Sequence, residues 1–143
     1  MIARFSNLPL RTDSLDGRNF VLVRDLYYYA ADGTLFLMPI GATSDGASTP
    51  PEVWPLIPPF GKYWAAAVLH DGAYRDTLLR SSGTGFVRAS LPKADCDALL
   101  AEAMEVLGVG LVERQIICDA VVLGGTSSFD ADRAAGWQKY MQL

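Results

Sequence analysis

KYWAAAVLHDGAYRDTLL, residues 62–79, is the stretch on which the reading of this chain turns, because it holds the only histidine among 143 residues and sets an aspartate directly beside it. The run is rich in Ala and Leu, has helical period, and is broken by SSGTG, so it predicts one helix. At about 100° per residue, Tyr74 falls about 40° from His70 and Asp71 about 100° from it, with Tyr74 between them. The three side chains therefore share a face. Ala66, Ala67, Val68 and Leu69 make the surroundings apolar, where an imidazole or a carboxylate without a partner is costly. A lone histidine on such a helix is also a common core residue, and Asp71 has a plain partner available in Arg75 at i+4.

Downstream, LPKADCDALLAEAMEVLGVG predicts a second helix, with Ser90 as its N-cap, an early proline, and Gly108 and Gly110 at its end. On it Asp97, Leu100 and Met104 form one inward stripe, while Asp95, Ala98, Glu102 and Glu105 form a mostly acidic one. Asp97 is thus the carboxylate on the core side. It could accept the imidazole N–H, fix its tautomer and leave the other ring nitrogen as a general base. A carboxylate near a helix N-terminus is favoured by the dipole as well, so the position has a second explanation. A third apolar helix is expected over roughly VERQIICDAVVLGG, and SSFDADRAAGWQKYMQL reads as either a short amphipathic helix or a loose end.

Upstream, NFVLVRDLYYYAADGTLFLMPI, residues 19–40, carries two β-rich runs joined by AADG and reads as a β-hairpin. Between hairpin and first helix lies a loop crowded with proline and glycine. Its TSDGAST segment, residues 43–49, offers Asp45 beside Gly46. Asp45, the Gly46 carbonyl and Asp71 supply the hard oxygen donors that calcium prefers, although Asp45 alone fits an Asx turn equally well. The apolar side chains of Trp54, Leu56, Ile57 and Phe60 suit a lipid channel or a protein interface.

The expected architecture is one α+β domain over residues 1–143: a β-hairpin region (1–42), a calcium-loop-like and Pro-rich loop (43–60), a helical core of two antiparallel helices plus a third (61–124), and a tail (125–143). Composition narrows the function classes. A net charge of −4 with twelve scattered basic residues gives no footprint for nucleic acid. One His and two isolated Cys, Cys96 and Cys118, do not make a zinc site or the multi-histidine centre of a metal phosphohydrolase. There is no G-x-S-x-G elbow and no glycine-rich phosphate loop. No signal peptide and no transmembrane segment are expected.

HDGAYR followed by KADCDALLAEAM resembles the catalytic helices of phospholipase A2, above all its short bacterial and fungal branch, in which H-D-x-x-Y-R precedes an aspartate seven residues before a methionine. Asp97 and Met104 keep that spacing, and TSDGAST resembles the calcium loop. The resemblance implies that His70 deprotonates water, that Asp97 orients it, that Tyr74 steadies Asp97, and that Asp45, Gly46 and Asp71 hold Ca2+. The chain departs from the secreted enzymes in having two cysteines and an added hairpin. Across nearly its whole length, the layout of hairpin, T-S-D-G-A-S-T-P, A-V-L-H-D-G-A-Y, D-A-L-L-A-E-A-M and final apolar helix also resembles a family of uncharacterised proteins of tailed bacteriophages and prophages. That implies a place in the virion or the host cytoplasm, with other phage structural proteins as partners. Two functions are expected from this: a calcium-dependent hydrolase of lipid or other acyl esters, or a non-catalytic tail or baseplate component that keeps His70, Asp71 and Asp97 as a polar tie. A cytoplasmic effector against host defence is a third.

Overall fold

The computed structural model describes residues 2–17, 19–45 and 63–142. Among the described residues the fold is α+β: six strands precede the first of four helices, and two more lie between the first helix and the second. Eight short strands build two sheets: β1 (Arg4–Phe5), β4 (Leu26–Tyr29), β5 (Leu35–Met38), β7 (Leu79–Ser81) and β8 (Phe86–Arg88) in the order β1-β4-β5-β7-β8, and β2 (Thr12–Ser14), β3 (Phe20–Leu22) and β6 (Thr43–Ser44) in the order β2-β3-β6. The helices are α1 (Trp64–Arg75), α2 (Lys93–Val106), α3 (Leu111–Gly124) and α4 (Thr126–Ala135), followed by a 3-10 turn at Trp137–Tyr140.

The expected hairpin is β4–β5, in the register Tyr28↔Phe36. Its loop is closed by Ala30 N–H to Thr34 O at 2.9 Å, with Gly33 at φ +92° and the Asp32 carboxylate accepting from Thr34 N–H. It is the middle of a sheet rather than a free-standing ribbon, and the FVL residues ahead of it belong to the other sheet. Leu26, Tyr28, Phe36 and Met38 are buried and build the core with α1 and α2.

The first helix ends four residues earlier than its sequence suggests. Asp76 adopts φ +59°, a left-handed conformation that Asp tolerates better than most residues, and the chain then enters β7. The break at SSGTG is the turn of a second hairpin: Leu79 pairs with both Leu37 and Arg88, adding β7 and β8 to the sheet. Ser90 is not the cap of α2, whose N-cap is Pro92. Its N–H and hydroxyl instead bind the two Asp76 carboxylate oxygens, both at 2.8 Å. At the other end of α2 Gly108, at φ +76°, turns the chain so that Val109 N–H reaches Met104 O, as expected for a glycine there.

Every α1 residue after Trp64 is buried. A helix enclosed on all sides must be lined with small or apolar groups, which accounts for its alanines. Gly72 does a related job: a β-carbon there would lie 1.9 Å from the Met38 sulfur, so glycine lets β5 approach the helix backbone. The remaining polar side chains of α1 are therefore forced to find partners, and these define the site. Among the described residues no helix is long and apolar enough to cross a membrane.

One carboxylate on the acidic stripe of α2 serves the fold. Glu102 accepts from the Tyr28 hydroxyl at 2.7 Å and from Ala31 N–H at 3.1 Å, tying the hairpin to α2. Burial, then the hydrogen bond to Glu102 and its charge, push the Tyr28 hydroxyl above its ordinary value. Glu102→Ala is expected to cost about 1–3 kcal/mol, because it strands a buried hydroxyl. Urea unfolding checks this, and a second change, Tyr28→Phe, should recover part of the loss.

Candidate functional site

The structure brings His70, Tyr74 and Asp97 together. His70 Nε2 lies 2.9 Å from Asp97 Oδ1, and the Tyr74 hydroxyl donates to the same oxygen at 2.7 Å. The other oxygen, Oδ2, accepts from Lys93 Nζ at 2.7 Å, and that ammonium also reaches the Val121 carbonyl at 3.2 Å. Burial alone would raise the Asp97 pKa, but the hydrogen bonds from His70, Lys93 and Tyr74 outweigh it and bring the carboxyl down to about 2. An ionised carboxylate only accepts, so Nε2 carries a proton, and Nδ1 is the ring nitrogen that can act as a base.

Tyr74 is fixed from both sides, its ring 4.1 Å from His70 and 5.2 Å, edge-on, from Phe129 of α4. Gly125, between α3 and α4, makes this fit possible, since a β-carbon there would stand 2.8 Å from the Tyr74 hydroxyl and 2.4 Å from the Val121 carbonyl.

Asp71, one position along α1, accepts from the Ser44 hydroxyl at 2.6 Å and lies within hydrogen-bonding reach of the Asp45 carboxyl. Burial and then the Asp45 charge push Asp71 well above the usual carboxylate range, and Arg75 pulls only part of the way back. Asp45 itself is half exposed. Its neighbour Gly46, like the loop carrying Trp54, Leu56, Ile57 and Phe60, lies outside the described residues. Two close carboxylates, one of them buried, are a donor set of the kind hard cations take. Among the described residues no three His, Cys, Asp or Glu side chains group closely enough to ligate one ion, so most of a calcium shell would be backbone carbonyls and water.

His70, Tyr74, Asp71 and Asp45 line one cleft of about 300 Å3, whereas Asp97 and Lys93 line a separate one. Arg75 lines the first cleft too, with Val121 and Gly124 of α3 and Ser128, Ala131 and Asp132 of α4. The tail is thus part of the site. Arg133 clamps it, donating to the carbonyls of Ala73 and Tyr74 at 2.9 and 3.0 Å and to that of Leu91. Farther on, Trp137 lies under the Arg88 guanidinium at 3.6 Å.

Residues 20–121 match the family described as protein of unknown function DUF1353. The chain belongs to that family. The DUF1353 region holds Asp45, His70, Asp71, Tyr74, Lys93 and Asp97, whereas the α4 residues that line the cleft lie beyond it. No curated protein and no solved structure matches the chain.

Sequence reasoning missed Lys93, Ser44 and Arg133. Lys93 was readable, since it stands four residues before Asp97 on one helix face. Ser44 and Arg133 act across the fold and left no such signal. Cys96 and Cys118 are unpaired. Burial pushes the Cys96 thiol up to about 12, which makes it inert at neutral pH.

Proposed function

We propose that the chain is a calcium-dependent hydrolase of acyl esters, with phospholipid as its substrate class and a site similar to that of phospholipase A2, and that it serves a tailed bacteriophage as a virion or tail-associated protein. The observation that carries the chemistry is the meeting of His70 and Tyr74 on one oxygen of Asp97, with both rings lining a cleft that Asp45 and Asp71 also line. The phage setting rests on the resemblance of the sequence layout.

In this reading His70 Nδ1 takes a proton from water, and the oxygen adds to the ester carbonyl carbon. The imidazolium, held by Asp97, then returns the proton to the leaving alkoxide as the ester bond breaks. Asp45, Asp71 and carbonyls of the adjoining loop would hold calcium, which supplies the Lewis acidity that polarises the carbonyl. The test is release of fatty acid from phospholipid micelles, expected in calcium and lost in EGTA. An inactive protein that binds calcium and folds normally overturns the hydrolase reading.

Calcium dependence carries a pH signature. A carboxyl with a raised folded pKa contributes most below its unfolded value, and its cost grows as the pH rises toward the folded one. Asp71 is of this kind, so metal-free protein should lose stability from about pH 4 upward. Calcium binds the ionised form and relieves that cost, so the calcium-induced rise in Tm should grow between about pH 5 and 8. Asp71→Asn is expected to raise the metal-free Tm at pH 8 and to abolish the calcium shift. A Tm unmoved by calcium at every pH counts against the site.

The second reading, a non-catalytic tail or baseplate component, is favoured by Lys93, whose ion pair with Asp97 is what a purely structural tie would use. It expects particles carrying His70→Gln to infect as well as the parent.

A further inference from the structure

Arg75 is the last residue of α1 and one of its few charged side chains, and it is buried. Its guanidinium is held on two sides: Nη1 donates to the Thr43 carbonyl at 3.0 Å, and the Tyr140 ring lies 4.4 Å beneath it. Thr43 and Tyr140 are joined in turn by the Thr43 hydroxyl, which donates to the Tyr140 carbonyl at 2.7 Å. The charge is therefore pinned by groups that carry none. On the side facing the cleft, Nη2 stands 3.7 Å from Asp45 Oδ2, an ion-pair distance too long for a strong hydrogen bond. Asp45 is the exposed member of the pair and Asp71 the buried one. One partner is thus clamped and the other is loosely held, which is the arrangement expected of a cation that compensates charge without fixing the carboxylate's position.

We propose that Arg75 is the resident counter-cation of the Asp45–Asp71 carboxylate pair, the charge that a divalent ion would otherwise supply, and that calcium must compete with it. The second half rests on the calcium reading above; the first stands without it. Metal-free protein is then held together at this point by Arg75, and Asp45 exchanges the guanidinium for the metal. A unit charge a few ångströms from a divalent ion weakens its binding roughly tenfold even under water-like screening.

Thermal midpoints in EDTA are compared for the parent, Arg75→Gln, Asp45→Asn and the double variant, and calcium affinity is measured by calorimetric titration. Arg75→Gln is expected to lower the metal-free midpoint, and Asp45→Asn to restore part of that loss in the double variant. Arg75→Gln should also bind calcium about tenfold more tightly than the parent. Arg75→Lys keeps the charge while giving up the fork on Thr43 and the stacking on Tyr140, so it should hold near-parental calcium affinity; it carries the comparison if Arg75→Gln does not fold. Strictly additive losses in EDTA, or equal calcium affinity in the parent and Arg75→Gln, overturn the proposal by reducing Arg75 to a strut between Thr43 and Tyr140. Coupling in EDTA with no calcium uptake by any variant retires the calcium reading and leaves the counter-cation in place, so the two failures are told apart.

Discussion

Replacing His70 by glutamine is expected to lower calcium-dependent release of fatty acid by about 10²–10⁴-fold, the range that removal of a positioned general base costs. Glutamine is chosen because its amide N–H₂ can take the place of Nε2–H and keep a donor on Asp97 Oδ1, now 2.9 Å from the ring. The substitution leaves the network paired and removes the one basic nitrogen. Tyr74 and Lys93 remain on Asp97. Tm and far-UV circular dichroism should therefore stay near the parent while initial rates collapse. Equal rates in the two proteins would mean that the imidazole does no chemistry, and a rate loss matched by a large fall in Tm would assign it to the fold. The same variant separates the two functions proposed above, because a structural tie tolerates it and a hydrolase does not.

That experiment could be designed from sequence, and the reason lies in what helical periodicity can and cannot place. His70, Asp71 and Tyr74 share a face of α1 at any tertiary arrangement, and the stripe of Asp97, Leu100 and Met104 picks out the acidic position of α2 that meets α1, though not Glu102, which turns to the hairpin. Leu100 and Met104 are buried as that stripe requires. Two buried polar groups on packed helices then have few partners other than each other. The hairpin β4–β5 and the third helix were legible for the same local reasons. What escaped was decided by backbone turns and long-range partners. The stop of α1 depends on one residue, Asp76, taking a left-handed conformation, and Thr77 to Leu79 continue an apolar pattern that suits a helix as well as a strand. The runs on either side of SSGTG were the available sign that the chain reverses there. The role of α4 depends on Arg133 meeting carbonyls about sixty residues earlier, for which amphipathicity carries no information.

Removing the carboxylate of Asp97 should be the most damaging single change to stability. Asp97→Ala leaves the Lys93 ammonium, the Tyr74 hydroxyl and the His70 N–H facing a gap, and breaking a buried ion pair from one side costs about 3–5 kcal/mol. For a chain of this length that is a fall in Tm of about 10 °C or more. Lys93 keeps some contact with water, its side chain being 20% exposed, which argues for the lower end of the range. The pH dependence tells a charge effect from lost packing. Asp97 titrates near 2 in the folded protein, below its unfolded value, so its contribution is complete above about pH 4 and disappears as the pH falls toward 2. Asp97→Asn keeps the shape but not the charge, and its stability should converge on that of the parent over that interval, whereas the deficit of Asp97→Ala persists because its cavity does not titrate. Chemical denaturation at pH 7, 4 and 2.5 follows both. If Asp97→Asn stays equally far below the parent at every pH, the three donors are not binding an ionised carboxylate, Nε2 need not carry the proton, and the assignment of Nδ1 as the base loses its footing.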